Sequence, residues 1–201
     1  RAIELVEQNG GNVTAINVGP AANDIIIRKA LAIGANDAVR IDIDPADAYV
    51  TAANIAGHAR SKNYDLIMLG KETIDYNGSE TGAMIAEMLD LPFVSYASAL
   101  QVSGNMSTVT RDIEGGVEVC QVEGPFVLSA AKGMAEQRIP NMKGIMMAKT
   151  KPLAVEVASV QNPRVKANKY VLPPAKSGVK LISPDNMDEL VRLLHEEAKV
   201  I

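Results

Sequence analysis

The sequence predicts an α/β fold: a doubly wound, mostly parallel sheet carrying an antiparallel meander, followed by a C-terminal extended arm and a helix. Three observations predict it. Between residues 10 and 95, short apolar runs alternate with helix-length segments. Those runs are apolar throughout, as strands covered on both faces are. After Ala97 the texture changes to alternating runs separated by glycine turns.

Taken in order, Ala2-Ile3-Glu4-Leu5-Val6 reads as the tail of an amphipathic helix with no cap ahead of it. Such a helix follows a strand in this fold class, so a first strand is expected to be missing. Val13 to Val18 is a strand that ends at Gly19-Pro20. A helix from Ile25 to Ile33 is stopped by Gly34. Ala38 to Ile43 is the next strand, and Asp44-Pro45 supplies an N-cap and first-turn proline for a helix running to about Arg60. Asp65 to Gly70 is a third buried strand. A polar loop, a helix from Ser79 to Leu89 and a strand near Phe93-Val94 follow.

The meander comprises Ala99 to Val102, Ser107 to Arg111 and Val117 to Val122, with turns at Gly104-Asn105 and Gly115-Gly116. Phe126 to Ala130 returns to a buried strand. Residues 133–152 hold no clean period, and Pro163 to Gly178 reads as an extended arm. Ser183-Pro184-Asp185 caps a last helix with Met187, Leu190, Val191 and Leu194 on one face. The expected division is an α/β domain over 1–152 and an arm with its helix over 153–201. An arm of this kind fits a segment that wraps another chain; a helix packed on its own domain fits equally.

Composition bounds the function. The 201 residues allow one sizeable core, not two full domains. Aromatics make up 3%, with no Trp and two Phe, so platforms for stacking bases or a flavin ring are scarce. The net charge of -4, without a basic block, argues against nucleic-acid binding. Cys120 is the only cysteine, which excludes an intrachain disulfide, a cysteine zinc site and an iron–sulfur cluster. With no apolar run long enough to span a membrane and no signal peptide, a bacterial cytoplasmic setting is expected.

The segment richest in chemistry is the loop Gly70, Lys71, Glu72, Thr73, Ile74, Asp75, Tyr76, Asn77, Gly78, Ser79, Glu80, Thr81. It leaves the carboxyl end of a parallel strand and enters a helix, where open α/β sheets bind ligands. Gly78 permits a tight turn, and the N–H groups near Ser79, Glu80 and Thr81 can bind a phosphate. Lys71 would add positive charge, while Glu72, Asp75 and Glu80 oppose an anion. An ordinary capped βα loop fits the spacing as well. Val18 and Gly19 end an earlier strand and could line a slot for a base, or simply close a turn. His58 and His195 read as solvent-facing, and Cys120 as a small strand side chain. No catalytic constellation emerges. Met142-Lys143-Gly144-Ile145-Met146-Met147 is either an adaptable contact surface on a protruding turn or a loop helix tucked onto the core.

These pieces in this order resemble the electron transfer flavoprotein beta family. The carrying segments are Val18-Gly19-Pro20, Arg28 to Ala35, Leu69-Gly70-Lys71 with Ile74-Asp75 and Thr81-Gly82, Thr110 to Pro125, and Pro140 to Lys151. The resemblance implies an adenine-nucleotide-binding fold related to the universal stress proteins, without an active site of its own. It implies a heterodimer with an alpha subunit that holds most of an FAD, and a structural AMP against Val18 and the segment Gly70 to Thr81. It further implies docking of flavoprotein dehydrogenases, such as the acyl-CoA dehydrogenases of fatty acid oxidation, on about Ala131 to Lys151. The family's apolar anchor falls on Met142, where a leucine is usual, with Ile145 and Met146 beside it. The lysine-rich stretch that follows is thinned by Met147 and Thr150. Another branch of the family bifurcates electrons with a second FAD in place of AMP; Gly70 to Asp75 looks more like the AMP branch. A universal-stress-type ATP-binding protein would want a glycine-rich phosphate loop before its last helix, which is not found. An adenylating enzyme of the superfamily would carry its motif after a first strand, which lies outside these residues, so that alternative stays open.

Overall fold

The computed structural model describes residues 1–176 and 178–201; Ser177, within the expected arm, lies outside them. Two units are present, Arg1–Lys166 and Ala167–Ile201.

In the first unit, helix α1 (Ala2–Asn9) ends at Gly10, whose φ of 80° a side chain would resist. Strand β1 (Thr14–Val18) follows, then α2 (Asp24–Ile33), β2 (Asp37–Asp42) and α3 (Ala48–Ala59). The cap of α3 differs from expectation. Asp47, not Asp44, accepts the Val50 N–H at 2.8 Å, so the helix starts three residues late. The same carboxylate also accepts the N–H groups of Arg164 and Val165, which fixes it at the helix start.

Next come β3 (Leu66–Gly70), α4 (Glu80–Leu89), β4 (Phe93–Ser103), β5 (Met106–Ile113), β6 (Gly116–Glu123) and β7 (Phe126–Ala130). The two short strands expected between residues 93 and 102 are one strand, β4, with an irregularity around Tyr96. Helix α5 (Met142–Ala148) and strand β8 (Leu153–Val157) complete the unit. The boundary expected at residue 152 therefore falls just ahead of a strand that pairs with β2.

The α/β class is as expected, with the strands in two sheets. One is parallel, in the order β1-β2-β8; the other runs β3-β7-β4-β5-β6, parallel as far as β4 and antiparallel beyond it. Strand β7 shows why its run is apolar throughout. Phe126 and Leu128 enter a core with Val94, Leu100 and Val109, while Val127 points the other way into a core with Ala52 of α3 and Ile85 of α4. Ile27 and Leu31 of α2 pack with Ala38 of β2 and Ala148 of α5.

The second unit, taken by itself, is mostly irregular before α6 (Met187–Arg192), which continues as a π-helical turn over Leu193–Ala198. Asn186, rather than Ser183, caps α6 by accepting the Glu189 N–H. Its side chain reaches the first-turn donors, whereas Ser183 bonds Asp185 within the preceding turn.

Candidate nucleotide site and docking face

The loop between β3 and α4 closes on itself around Thr73. The Thr73 N–H donates to the Gly78 carbonyl at 2.9 Å, the Asn77 N–H to the Thr73 carbonyl at 3.0 Å, and the Gly78 N–H to Thr73 Oγ1 at 2.9 Å. Asn77 adopts a φ of 55°, which asparagine tolerates better than most residues. Ile74 is 99% exposed, and Asp75, Tyr76, Asn77 and Ser79 also face outward. Glu80 opens α4. Ser79 gives α4 no side-chain cap, so the first-turn N–H groups from Glu80 onward lack that partner. Gly82 lets α4 lie close to the sheet: a Cβ there would meet the Phe93 ring at 2.8 Å.

Lys71 has two neighbours in the loop and the sheet. Its ammonium pairs with Glu72 at 2.7 Å and lies 5.8 Å from the centre of the Tyr96 ring. The adjacent Glu72 carboxylate raises the Lys71 pKa above its ordinary value. Its charge is therefore shared with Glu72, while the backbone N–H groups of the first turn of α4 carry no side-chain partner from Ser79. Tyr96 is the residue that sequence reasoning missed. It is held at a φ of 56° with its N–H donating to Ser129 Oγ at 3.0 Å, and the change of texture near Ala97 was its only trace.

Val18 is buried at the carboxyl end of β1. Behind it, the buried guanidinium of Arg40 donates to the Gly19 carbonyl at 3.0 Å and to Asp24 at 2.7 Å, and also pairs with Asp42. This network pins the turn after β1.

His58 is buried, contrary to expectation. Its Nδ1 lies 2.9 Å from Glu156 and its Nε2 3.1 Å from the Tyr64 hydroxyl, partners supplied by β8 and by the segment before β3. His195 is exposed. Burial and the neighbouring Glu118 raise the Cys120 thiol pKa, which disfavours a nucleophilic thiolate. Among the described residues, no group of three or more His, Cys, Asp or Glu is placed to hold a metal ion, and no helix is long and apolar enough to cross a membrane.

The methionine segment is helical. Asn141 caps α5 by accepting the Gly144 N–H at 2.8 Å, so Met142 starts a helix and does not tip a turn. Met142 is 74% exposed; Ile145, Met146 and Met147 are exposed beside it, while Ala148 is buried against α2.

A family model described as Electron transfer flavoprotein domain matches residues 1–161. Electron transfer flavoprotein subunit beta of Bacillus subtilis is 35% identical over 214 residues, spanning 100% of this chain and 83% of the relative. The human protein of the same name is 35% identical over 148 residues, spanning 71% of this chain and 58% of the relative. Caffeyl-CoA reductase-Etf complex subunit CarD of Acetobacterium woodii is 27% identical over 213 residues, spanning 98% and 81%.

Proposed function

The chain belongs to the electron transfer flavoprotein family as a beta subunit, an electron-transfer protein with an alpha partner and not an enzyme, and from this premise we propose its cofactor and docking roles. It holds one AMP at the carboxyl ends of β1 and β3, and it offers α5 to flavoprotein dehydrogenases in the bacterial cytoplasm. The observation that carries this reading is the uncapped first turn of α4 at the carboxyl end of β3. One helix start suits one phosphate better than three. Val18 ends β1 with its side chain buried, so a base there would lie against the strand end with Val18 behind it.

FAD supplies the redox chemistry when bound. This chain's part is to complete a site held mostly by the alpha partner. Phe126 is buried in the core and Phe93 packs against Gly82, so neither phenyl ring is free to stack on a flavin. The unit Ala167–Ile201 supports a wrapping role, since Tyr170, Leu172 and Leu181 are each about nine-tenths exposed.

The test is mass spectrometry of the nucleotides released on denaturing the heterodimer. One AMP and one FAD are expected. Two FAD without AMP would move the chain to the bifurcating branch, and no nucleotide would sink the reading. Removing residues 167–201 should abolish co-purification with the alpha partner; a stable flavin-loaded complex after that deletion would count against wrapping.

A further inference from the structure

Helix α5 spans seven residues and carries Gly144 in its interior. A helix that short does not hold its shape alone in water, and an interior glycine weakens it further. Its form must come from what fastens it. Neither α5 nor α2 has a basic residue in its own last turn, so each lacks the cation that helix-end carbonyls favour. The two helices exchange those cations. Arg28, in the middle of α2, donates through Nη1 to the carbonyls of Ala148 and Lys151, both within 2.7 Å. Lys151, three residues beyond α5, donates back through Nζ to the carbonyls of Leu31 and Ala35.

Both cations are half-buried, so their bonds are less open to competing water than a surface pair. Water could satisfy the same carbonyls. Two side chains reaching from opposite sides fix, in addition, how the helices lie against each other. The approach to α5 is tied as well: Arg138 forks on Glu7 of α1 with bonds of 2.8 and 2.7 Å.

We infer that Arg28 and Lys151 are positioning residues for docking: their exchanged caps keep Met142, Ile145 and Met146 on a helix that is already formed when a flavoprotein partner arrives. The inference rests on the docking role proposed for α5. Preformed shape matters because ordering a loose segment on binding subtracts from affinity, residue by residue. A partner that meets a ready-made helix avoids that loss. The cations touch no partner themselves, since both point into the seam between α5 and α2.

The experiment uses the full heterodimer and compares Arg28→Met, which keeps an apolar stem without the donor, with Arg28→Lys, which keeps a cation, and with Met142→Ala, which removes the anchor alone. Amide hydrogen exchange is read across α5 and β2, and dehydrogenase-driven flavin reduction gives kcat and the KM for the heterodimer. Arg28→Met should speed exchange in α5 by about tenfold with β2 unchanged. It should raise KM roughly five- to twentyfold at constant kcat, with Arg28→Lys in between. Unchanged exchange in α5 would overturn the inference, because the caps then do not hold the helix. Faster exchange in α5 and β2 together would overturn it too, making Arg28 a residue of general stability. So would a loosened α5 with an unmoved KM where Met142→Ala raises it, since the docking face then works without a preformed helix. If neither Arg28→Met nor Met142→Ala moves KM, the docking role of α5 itself falls, and the inference with it.

Discussion

Gly144 lies so close to Ala32 that a Cβ added to the glycine would sit 2.3 Å from the Ala32 carbonyl oxygen. Helix α5 is thus flush against α2, and polar bonds hold its end. Arg28 donates to the carbonyls of Ala148 and Lys151 at 2.7 and 2.6 Å, and Lys151 Nζ donates to that of Leu31 at 3.0 Å. The obstacle to a larger residue is backbone, which cannot swing aside. Gly144→Ala should cost about 1–3 kcal/mol in overpacking, against a gain of roughly 1 kcal/mol in helix propensity. A lower urea midpoint and a displaced α5 are expected. An unchanged or raised midpoint would show that the two helices have room to part.

Met142 is the opposite case, an exposed residue on that clamped helix. Burying its side chain in a partner pocket would contribute about 1.5–3 kcal/mol. Met142→Ala should then weaken dehydrogenase docking roughly ten- to a hundredfold. Melting temperature and flavin content should not move. Steady-state kinetics of dehydrogenase-driven flavin reduction is the measurement; normal docking with a lowered melting temperature would make Met142 a structural residue.

Arg40→Met should loosen the turn that follows Val18. The arginine side chain is 5% exposed, but Asp24 and Asp42 are 41% and 57% exposed and would regain water. The cost should therefore fall below the 3–5 kcal/mol of a fully buried pair, at about 1–3 kcal/mol. AMP retained per heterodimer should drop several-fold. Full AMP retention with a lowered melting temperature would limit Arg40 to a structural part.

The carboxylate of Asp47 should make stability fall in acid. Burial pushes its pKa up, but N–H donors from Val50, Val165, Arg164 and Tyr49 outweigh that and hold it below the ordinary value. A group depressed in the folded state stabilises above its unfolded pKa, about 3.9 for Asp. That contribution is lost as pH falls through the lower folded value. Asp47→Asn should therefore be less stable than wild type at pH 6, by about 1 kcal/mol, the difference between hydrogen bonds to a charged and to a neutral acceptor, with the gap narrowing below about pH 4. A gap that stays constant from pH 6 to pH 2.5 would show that the charge plays no part.

The parallel strands and the β3–α4 loop were legible because their signals are local: unbroken apolar runs, and a glycine-rich polar stretch between strand and helix. His58 was not legible, because its partner Glu156 is 98 residues away and the surrounding helix carries no mark of that contact. Helix α5 spans seven residues, too few for a period to declare itself, and its place is set by α2. In β4 the irregularity at Tyr96 shifts the inward–outward alternation, so one strand of eleven residues reads as two.

The pairing of β2 with β8 brings Ala38 opposite Leu153, across most of the first unit, whereas the hairpins β4–β5 and β5–β6 join neighbours in the chain. On a ribosome the hairpins have partners as soon as they emerge, because short loops close first. The edge of β2 waits for nearly the whole unit to be made, and until then it is a place where two nascent chains can pair wrongly. Val155 and Val157 are largely exposed, so β8 is held by its ladder to β2, by Leu153 against the α2 core, by the His58–Glu156 contact, and by Asn54, which bonds the backbone of Ser159 and Val160 just beyond it. The latch of this unit is thus the last strand to be synthesised.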